Sequence, residues 1–380
     1  KKEMKILVCG CIHSRFDVVV ELQKQHTPDL CILLGDLQTF FTEQDMADSF
    51  LPKKYEKMGT FTDLATGKIA LQCPTIAIGG NHEAPRVVWS LQKGGFLLKN
   101  LYYVGTSVVD VVIRNQLVTV CGISGISHKP QSFPILKQPF LKQRFSHEQK
   151  QMAVHHSYEL FDQLVFPEKK AIYLSHDWPR GITTLINKKL LISPKTNLCD
   201  ETIGSPLAAR LFYKVCNQQS VFWCAHMHKN VEQFVNFPGK QLVQTFQPDE
   251  QQTETKNETQ TNLQINCEQK QSKTKFVLTT EPTQNKAENI QKLDLNQVEK
   301  ICHGFSKTQQ RFRFCALGRV WEQGFEVVSW DAEKTDLGDG VYKQGQLKGQ
   351  FDKDWKFELG VVNKNGKMWL KVGDEELELQ

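Results

Sequence analysis

Between Lys5 and about Val235 the chain alternates short apolar runs with amphipathic stretches, the pattern of an α/β or layered-sheet protein. Five runs stand out: Lys5-Ile6-Leu7-Val8-Cys9, Leu30-Cys31-Ile32-Leu33-Leu34, Thr75-Ile76-Ala77-Ile78, Ala171-Ile172-Tyr173-Leu174 and Val221-Phe222-Trp223-Cys224. Each is short, rich in β-branched or aromatic residues and bounded by Gly or polar positions, so each reads as a buried strand. Helical spacing appears at Phe16, Val19 and Val20 after the first run, and at Leu207, Leu211 and Val215 before the last. Helices are therefore expected to flank the sheet.

The pattern breaks from about Gln247 to Lys300, a stretch of Gln, Thr, Asn, Lys and Glu with few aromatics. Such a composition cannot bury enough apolar surface to order itself, so a disordered polar insertion is expected over 247–310. Arg311 to Leu317 and Phe325 to Trp330 are strand-like again. They are expected to complete the sheet, with 311–335 returning to the unit formed by 1–246. In a divergent C-terminal region, 336–380, Phe357 to Leu359 and Lys367 to Val372 flank Asn365-Gly366, a hairpin signal because both turn residues tolerate positive φ.

Composition narrows the class. With 380 residues the chain accommodates one large domain and an appendage. No apolar run approaches the ~20 residues that span a bilayer, so no membrane association is expected. The N-terminal apolar stretch stops at Gly10, too short for a signal-peptide core. Eleven cysteines are scattered, several inside apolar runs, and none makes a Cys-x-x-Cys pair. Reduced, buried thiols are expected, and structural zinc is not. A net charge of +5 is compatible with a polyanionic partner without demanding one.

The chemistry lies where the strands stop. The five runs lead, in order, into Cys11-Ile12-His13, Gly35-Asp36, Gly80-Asn81-His82, Ser175-His176-Asp177 and Ala225-His226-Met227-His228. Ligands of open α/β sheets bind beyond the carboxyl ends of strands, so these residues can converge despite their separation in sequence. One His or Asp after a strand is usually a turn or capping residue; five such blocks together indicate one site. Imidazole, carboxylate and amide oxygen in combination suit Mn, Fe or Zn better than Ca or Mg.

These blocks resemble the metallophosphoesterase pattern of Asp-x-His, Gly-Asp, Gly-Asn-His, a later His and Gly-His-x-His. The resemblance implies a β-sandwich flanked by helices, within the α/β class. It also implies two divalent transition-metal ions, Fe and Zn or Mn. His13, Asp36 and His228 would hold one; Asp36, Asn81, His176 and His226 would hold the other, with Asp36 bridging. Two positions depart: Cys11 stands where most of the family has Asp, and Ala225 where it has Gly. Cys-x-His at the first block is characteristic of RNA lariat debranching enzymes. Leu51-Pro52-Lys53-Lys54-Tyr55, Ile78 to Ala84, Gly122 to Ile126 and Ser175-His176-Asp177-Trp178-Pro179 look like blocks of that family. After the insertion, Phe314 to Leu317 and Phe351-Asp352-Lys353-Asp354-Trp355 do too.

That resemblance implies hydrolysis of the 2′,5′-phosphodiester at the branch point of excised intron lariats, giving linear RNA. A metal pair can lower the pKa of bound water enough to supply hydroxide near neutral pH and can clamp phosphate oxygens. His82 is the candidate general acid, a protonated imidazole able to protonate the departing sugar oxygen. Asp177 could orient a ligand imidazole or cap a turn. Cys11 is either a soft thiolate ligand or a small buried thiol beside the site, and occupancy of the first metal position depends on which.

Ser127 to Gln151 mixes cations with aromatics: His128, Lys129, Phe133, Lys137, Phe140, Lys142, Arg144, Phe145 and Lys150. Cations engage phosphates and aromatics stack on unpaired bases, although an ordinary solvated loop has the same composition. In debranching enzymes the corresponding insertion is the lariat recognition loop, so Lys129, Lys137, Lys142, Arg144 and Phe140 are the candidate RNA contacts. Beyond it the family shows His-x-Arg-Asn where this chain has His155-His156-Ser157-Tyr158. The expected partner is branched RNA, the expected state a monomer and the expected compartment the nucleus. The competing readings are a nucleotide phosphodiesterase or protein phosphatase of the same fold, and a scaffold without catalysis.

Overall fold

In the computed structural model, the described residues are 3–127, 145–193, 196–200, 202–215, 221–237 and 310–351, with strand segments at 243–244, 276–279, 291–293, 359–364, 367–372 and 375–379. The elements that position the site are β1 (Met4–Cys9), α1 (Phe16–His26), β2 (Leu30–Leu33), α2 (Glu43–Asp48), β3 (Thr75–Ala77) and α3 (Pro85–Leu91). They continue with β4 (Gly95–Leu98), β5 (Leu101–Tyr103), β6 (Ser107–Ile113), β7 (Gln116–Ile123), β8 (Ile172–Ser175), α4 (Pro206–Val215) and β9 (Val221–Cys224). Last come β10 (Val231–Phe237), β11 (Gln310–Ala316), β12 (Phe325–Trp330), β13 (Gly340–Lys343) and β14 (Gln346–Gly349).

Two mixed sheets form. One runs β12-β1-β2-β3-β5-β4, and the other β10-β11-β9-β8-β7-β6-β13-β14. Their central strands are parallel: β1, β2, β3 and β5 in the first, and β7, β8, β9 and β11 in the second. A strand covered on both faces needs apolar residues at every position, which is why these runs read as unbroken hydrophobic stretches. In β1 the alternation divides the load: Met4, Ile6 and Val8 enter the core shared by the two sheets, while Leu7 and Cys9 join the core that contains Phe16, Val19 and Val20 of α1. Leu207, Leu211 and Phe212 of α4 cover the second sheet with Trp178 and Phe222. The result is four layers, helix, sheet, sheet, helix. Each fully buried Leu, Ile or Val contributes about 1.5–3 kcal/mol.

The two strands after the polar insertion complete both sheets, not one. β11 enters the second sheet between β9 and β10, and β12 pairs antiparallel with β1 along its whole length, Met4 opposite Trp330. The sheet also continues past the expected return at 335. Gly340–Lys343 pairs with Val112 to Asp110 of β6, and Phe351 is buried in the inter-sheet core. Val341 and Phe351 supply the apolar contacts that draw this segment in. Within the polar stretch, Phe276–Thr279 pairs antiparallel with Val243–Gln244 and Gln291–Leu293. Near the end, Leu359–Lys364 pairs with Lys367–Val372 in a register that places Lys364 opposite Lys367, so two residues connect the strands. The first of these strands therefore begins where the sequence suggested it ends. Among the described residues no helix is long and apolar enough to cross a membrane.

Candidate active site

All five blocks follow the carboxyl ends of β1, β2, β3, β8 and β9. Several of their residues sit in the left-handed backbone region that L-residues avoid: His13 (φ 42°), Asp36 (φ 52°), His226 (φ 59°) and His228 (φ 51°). Each costs on the order of 1–3 kcal/mol unless its surroundings over-determine it, and such residues concentrate at functional sites.

Asp36 is the hub. Its Oδ1 accepts from the backbone N–H groups of Asn81 (3.0 Å) and His82 (3.1 Å) and lies 3.4 Å from His176 Nε2. Its Oδ2 lies 3.5 Å from His13 Nε2. Burial opposes the charged carboxylate, but the imidazoles of His176, His82 and His13 hold its pKa well below the usual range. The ligand atoms of Cys11, His13, Asp36 and His228 all lie within 4.8 Å of one another, and His13 Nε2 faces His228 Nε2 at 3.1 Å. On the other side of Asp36, His176 Nδ1 donates to the Leu34 carbonyl at 2.6 Å, so Nδ1 carries the proton and Nε2 is left to face the site. The His226 ring is 5.1 Å from that of His176.

The electrostatics separate the imidazoles. Desolvation lowers His13 to about 4 and His228 to about 3, and it lowers His82 and His226 as well. His176 moves the other way: burial opposes its charge, yet Asp36 beside it raises its pKa. Imidazoles clustered around an ionised carboxylate form a donor set for a divalent cation. Buried atoms without a hydrogen-bond partner point to the same fit: His13 Nδ1, Asp36 Oδ2, Asn81 Oδ1 and His176 Nε2. Buried polar atoms are rarely left this way, and a metal pair sharing Asp36 would satisfy the last three.

Cys11 is fully buried, and its Sγ accepts from the His226 backbone N–H at 3.2 Å. Burial, with Asp36 adding to it, pushes the thiol pKa well above its ordinary value. The sulfur is thus within reach of the first metal position. Ala225 fits without strain, its carbonyl accepting from Trp178 Nε1 at 2.8 Å. Asp177 is a loop tie: Oδ1 accepts from Trp178 N at 2.8 Å and Oδ2 from Ser127 N at 3.1 Å.

The close approach of the loops requires glycine at position 80. A Cβ there would fall inside 3.0 Å of Asp36 Oδ1, the Asp36 backbone nitrogen and His176 Cε1. Glu83, to which no role was assigned from sequence, locks this geometry. Fully buried, it accepts from Leu37 N (2.7 Å), Gln38 N (3.1 Å) and Gly80 N (2.9 Å), tying the Asp36 loop to the Asn81 loop. Burial raises its pKa to about 7 against the pull of the Gly80 N–H.

The candidate RNA contacts Lys129, Lys137, Phe140, Lys142 and Arg144 lie outside the described residues. Two neighbours first grouped with them have other partners. Phe145 is buried edge-on against Trp89, ring centroids 5.0 Å apart. Lys150, on the helix His147–Val154, lies 3.3 Å from Asp48 and donates to the Ala47 carbonyl at 2.9 Å. This end of the expected loop is helical because Ser146 and Gln149 form a reciprocal capping box.

A ligand cluster of this kind, at the carboxyl ends of strands in two packed sheets, defines a metallophosphoesterase. The family model for calcineurin-like phosphoesterases matches residues 4–230, and the chain belongs to that family. Metal dependence by divalent ions follows from that membership. Curated relatives include the lariat debranching enzyme A of Xenopus laevis, 35% identical over 243 residues, or 61% of this chain and 44% of that protein. The lariat debranching enzyme of Arabidopsis thaliana is 32% identical over 59% of this chain and 54% of its own. The Homo sapiens enzyme is 30% identical over 64% and 45%. The chain spans about half the length of the curated relatives it matches.

Proposed function

We propose that the chain hydrolyses the 2′,5′-phosphodiester of branched RNA to give a linear product. The observation that carries this reading is its 30–35% identity to proteins named lariat debranching enzyme over about 60% of its length. The convergence of Asp36, Asn81, His176 and His226 with Cys11, His13 and His228 supports it. Two divalent ions held there, Fe and Zn or Mn, would acidify water and neutralise phosphate charge. Asp36 would be the ligand they share, and His176 is fixed through the Leu34 carbonyl. Cys11 Sγ borders the first position, beside His13, Asp36 and His228.

His82 is the proton donor in this reading. Its backbone N–H is anchored on Asp36, and its ring lies 5.4 Å from His13 and 4.8 Å from Tyr55, facing the same space. Burial lowers its pKa. An incoming phosphodiester anion favours the imidazolium, so the proton is taken up with substrate and delivered to the leaving sugar oxygen. A nuclear, monomeric enzyme fits this substrate.

The test is cleavage of a synthetic branched RNA with one 2′,5′ linkage beside a linear 3′,5′ control and a generic phosphodiester, with Mn or Fe and Zn supplied. Selective debranching, lost in His82→Ala, is expected. Hydrolysis of the generic ester alone would move the protein to another phosphoesterase group, and inactivity with every metal would favour the scaffold reading.

A further inference from the structure

One wall of the site is not accounted for by ligands. Tyr55 lies flat on the His13 imidazole, centroids 4.4 Å apart and planes within 1°. Trp321 stands 5.7 Å from His13 and is 38% exposed. Two cations adjoin these rings: Lys54 Nζ is 4.7 Å from the Tyr55 centroid, and the Arg319 guanidinium is 5.9 Å from that of Trp321. Arg319 Nη2 also donates to Tyr55 Oη at 3.4 Å.

This wall joins segments more than two hundred residues apart, and backbone hydrogen bonds fix the join. Cys11 N donates to the Gly318 carbonyl (3.1 Å), Val320 N to the Cys11 carbonyl (3.1 Å) and Gly10 N to the Gly324 carbonyl (2.7 Å). Gly318 N donates to Asn230 Oδ1 at 2.7 Å. Trp321 is therefore held against the loop that carries Cys11 and His13 and is not a stray surface residue.

A single exposed aromatic needs no explanation. An indole beside one cation, with a second cation over the neighbouring Tyr55 ring, at the edge of a phosphoester site is a different matter. Cations alone would serve any phosphate; a flat ring among them adds affinity for a planar ligand. We propose that Trp321, with Arg319 and Lys54, forms a nucleotide subsite beside the metal centre: one base stacks on the indole, and an adjacent phosphate accepts from the guanidinium. Arg319 now pairs with Glu322 at 3.0 Å, a partly exposed contact that a phosphate can displace. The proposal rests on the RNA-substrate reading only in taking a nucleotide as ligand.

The test reads binding without turnover. The whole chain, held in EDTA, is titrated with a short single-stranded oligoribonucleotide and with its abasic counterpart. Trp321→Ala is expected to weaken the base-bearing oligomer about 5- to 150-fold, the range of one lost base stack. Trp321→Phe should restore most of the affinity, and the abasic oligomer should bind wild type and Trp321→Ala alike. Equal affinity of wild type and Trp321→Ala for the base-bearing oligomer overturns the proposal, as does an equal loss with the abasic one. Should Trp321→Ala not fold, fluorescence decides: quenching by the oligomer that disappears in Trp321→Phe supports the contact, and unchanged quenching refutes it. If branched RNA is not cleaved but the Trp321 dependence holds, the debranching reading fails and the nucleotide subsite stands.

Discussion

Gly80→Ala is the sharpest perturbation the site offers, because it adds one methyl group and no charge. The new Cβ would lie 2.7 Å from His176 Cε1 and closer still to Asp36 Oδ1 and the Asp36 backbone nitrogen, against 3.4 Å or more for ordinary contact. Relief requires a displacement of about 1 Å. The Asp36 backbone cannot give way freely, since Leu37 N and Gln38 N are bound to the buried Glu83 carboxylate and Leu34 N donates to the Cys9 carbonyl at 2.9 Å. The shift therefore falls on the Gly80 segment itself, on the Asp36 carboxylate and on the His176 ring. Overpacking of this size costs about 1–3 kcal/mol of stability. A misplacement of about 1 Å at a reacting centre costs about 10²-fold in rate. Steady-state phosphodiesterase turnover, bound metal by elemental analysis and thermal unfolding would be measured together, with Gly338→Ala as control because its Cβ meets nothing nearer than 3.9 Å. Gly80→Ala that binds metal normally and turns over within about threefold of wild type would refute the reasoning, which takes the magnitude from steric displacement of Asp36.

Other predictions follow from the same contacts. His156, buried with Nδ1 donating to the Ser124 carbonyl at 2.8 Å, has its pKa lowered to about 4 by burial. Because the unfolded chain binds that proton more readily, stability present above pH ~6.5 is lost as pH falls towards 4, up to about 3 kcal/mol. Denaturant melts at pH 7.5 and 5 should show a smaller loss for His156→Gln than for wild type. Arg86 Nε and Asp45 Oδ1 form a buried pair at 3.0 Å that ties α3 to α2. Arg86→Met strands the carboxylate and should cost about 3–5 kcal/mol, with part recovered in the Asp45→Asn double variant. Metal removal by chelation should lower the melting temperature, by about 4 kcal/mol of stability when the metal stood at a thousand times its Kd. Cys11→Ser should lower occupancy at the first metal position while leaving the second filled, measured as metal per chain. His82→Ala should lose turnover with its metal content unchanged.

The local pattern of apolar residues was sufficient to locate β1, β2, β3, β8 and β9, and with them the candidate ligand blocks that follow. A strand buried on both faces must be apolar at every position, and a metal ligand must be one of a few residue types, so both leave marks that read in one dimension. Ile6 to Cys9, Leu30 to Leu33 and His226-Met227-His228 are such marks. Helix spacing at Phe16, Val19 and Val20 was legible for the same reason, since it records one face meeting one core.

Tertiary structure decided the rest. Whether Cys11 faces a metal as thiolate or thiol depends on its burial and on the His226 N–H, neither of which its residue type reveals. Glu83 organises the site by accepting backbone N–H groups, and backbone donors are present at nearly every position, so no spacing rule announces them. Position 80 needs glycine because Asp36 and His176 arrive from other strands. Trp321 and Arg319 reach His13 only because β11 and β12 close the two sheets and carry the intervening turn onto the Cys11 loop. Hydrophobic burial acts on each segment separately and is written along the chain; the meeting of segments is settled by packing, which only the folded protein contains.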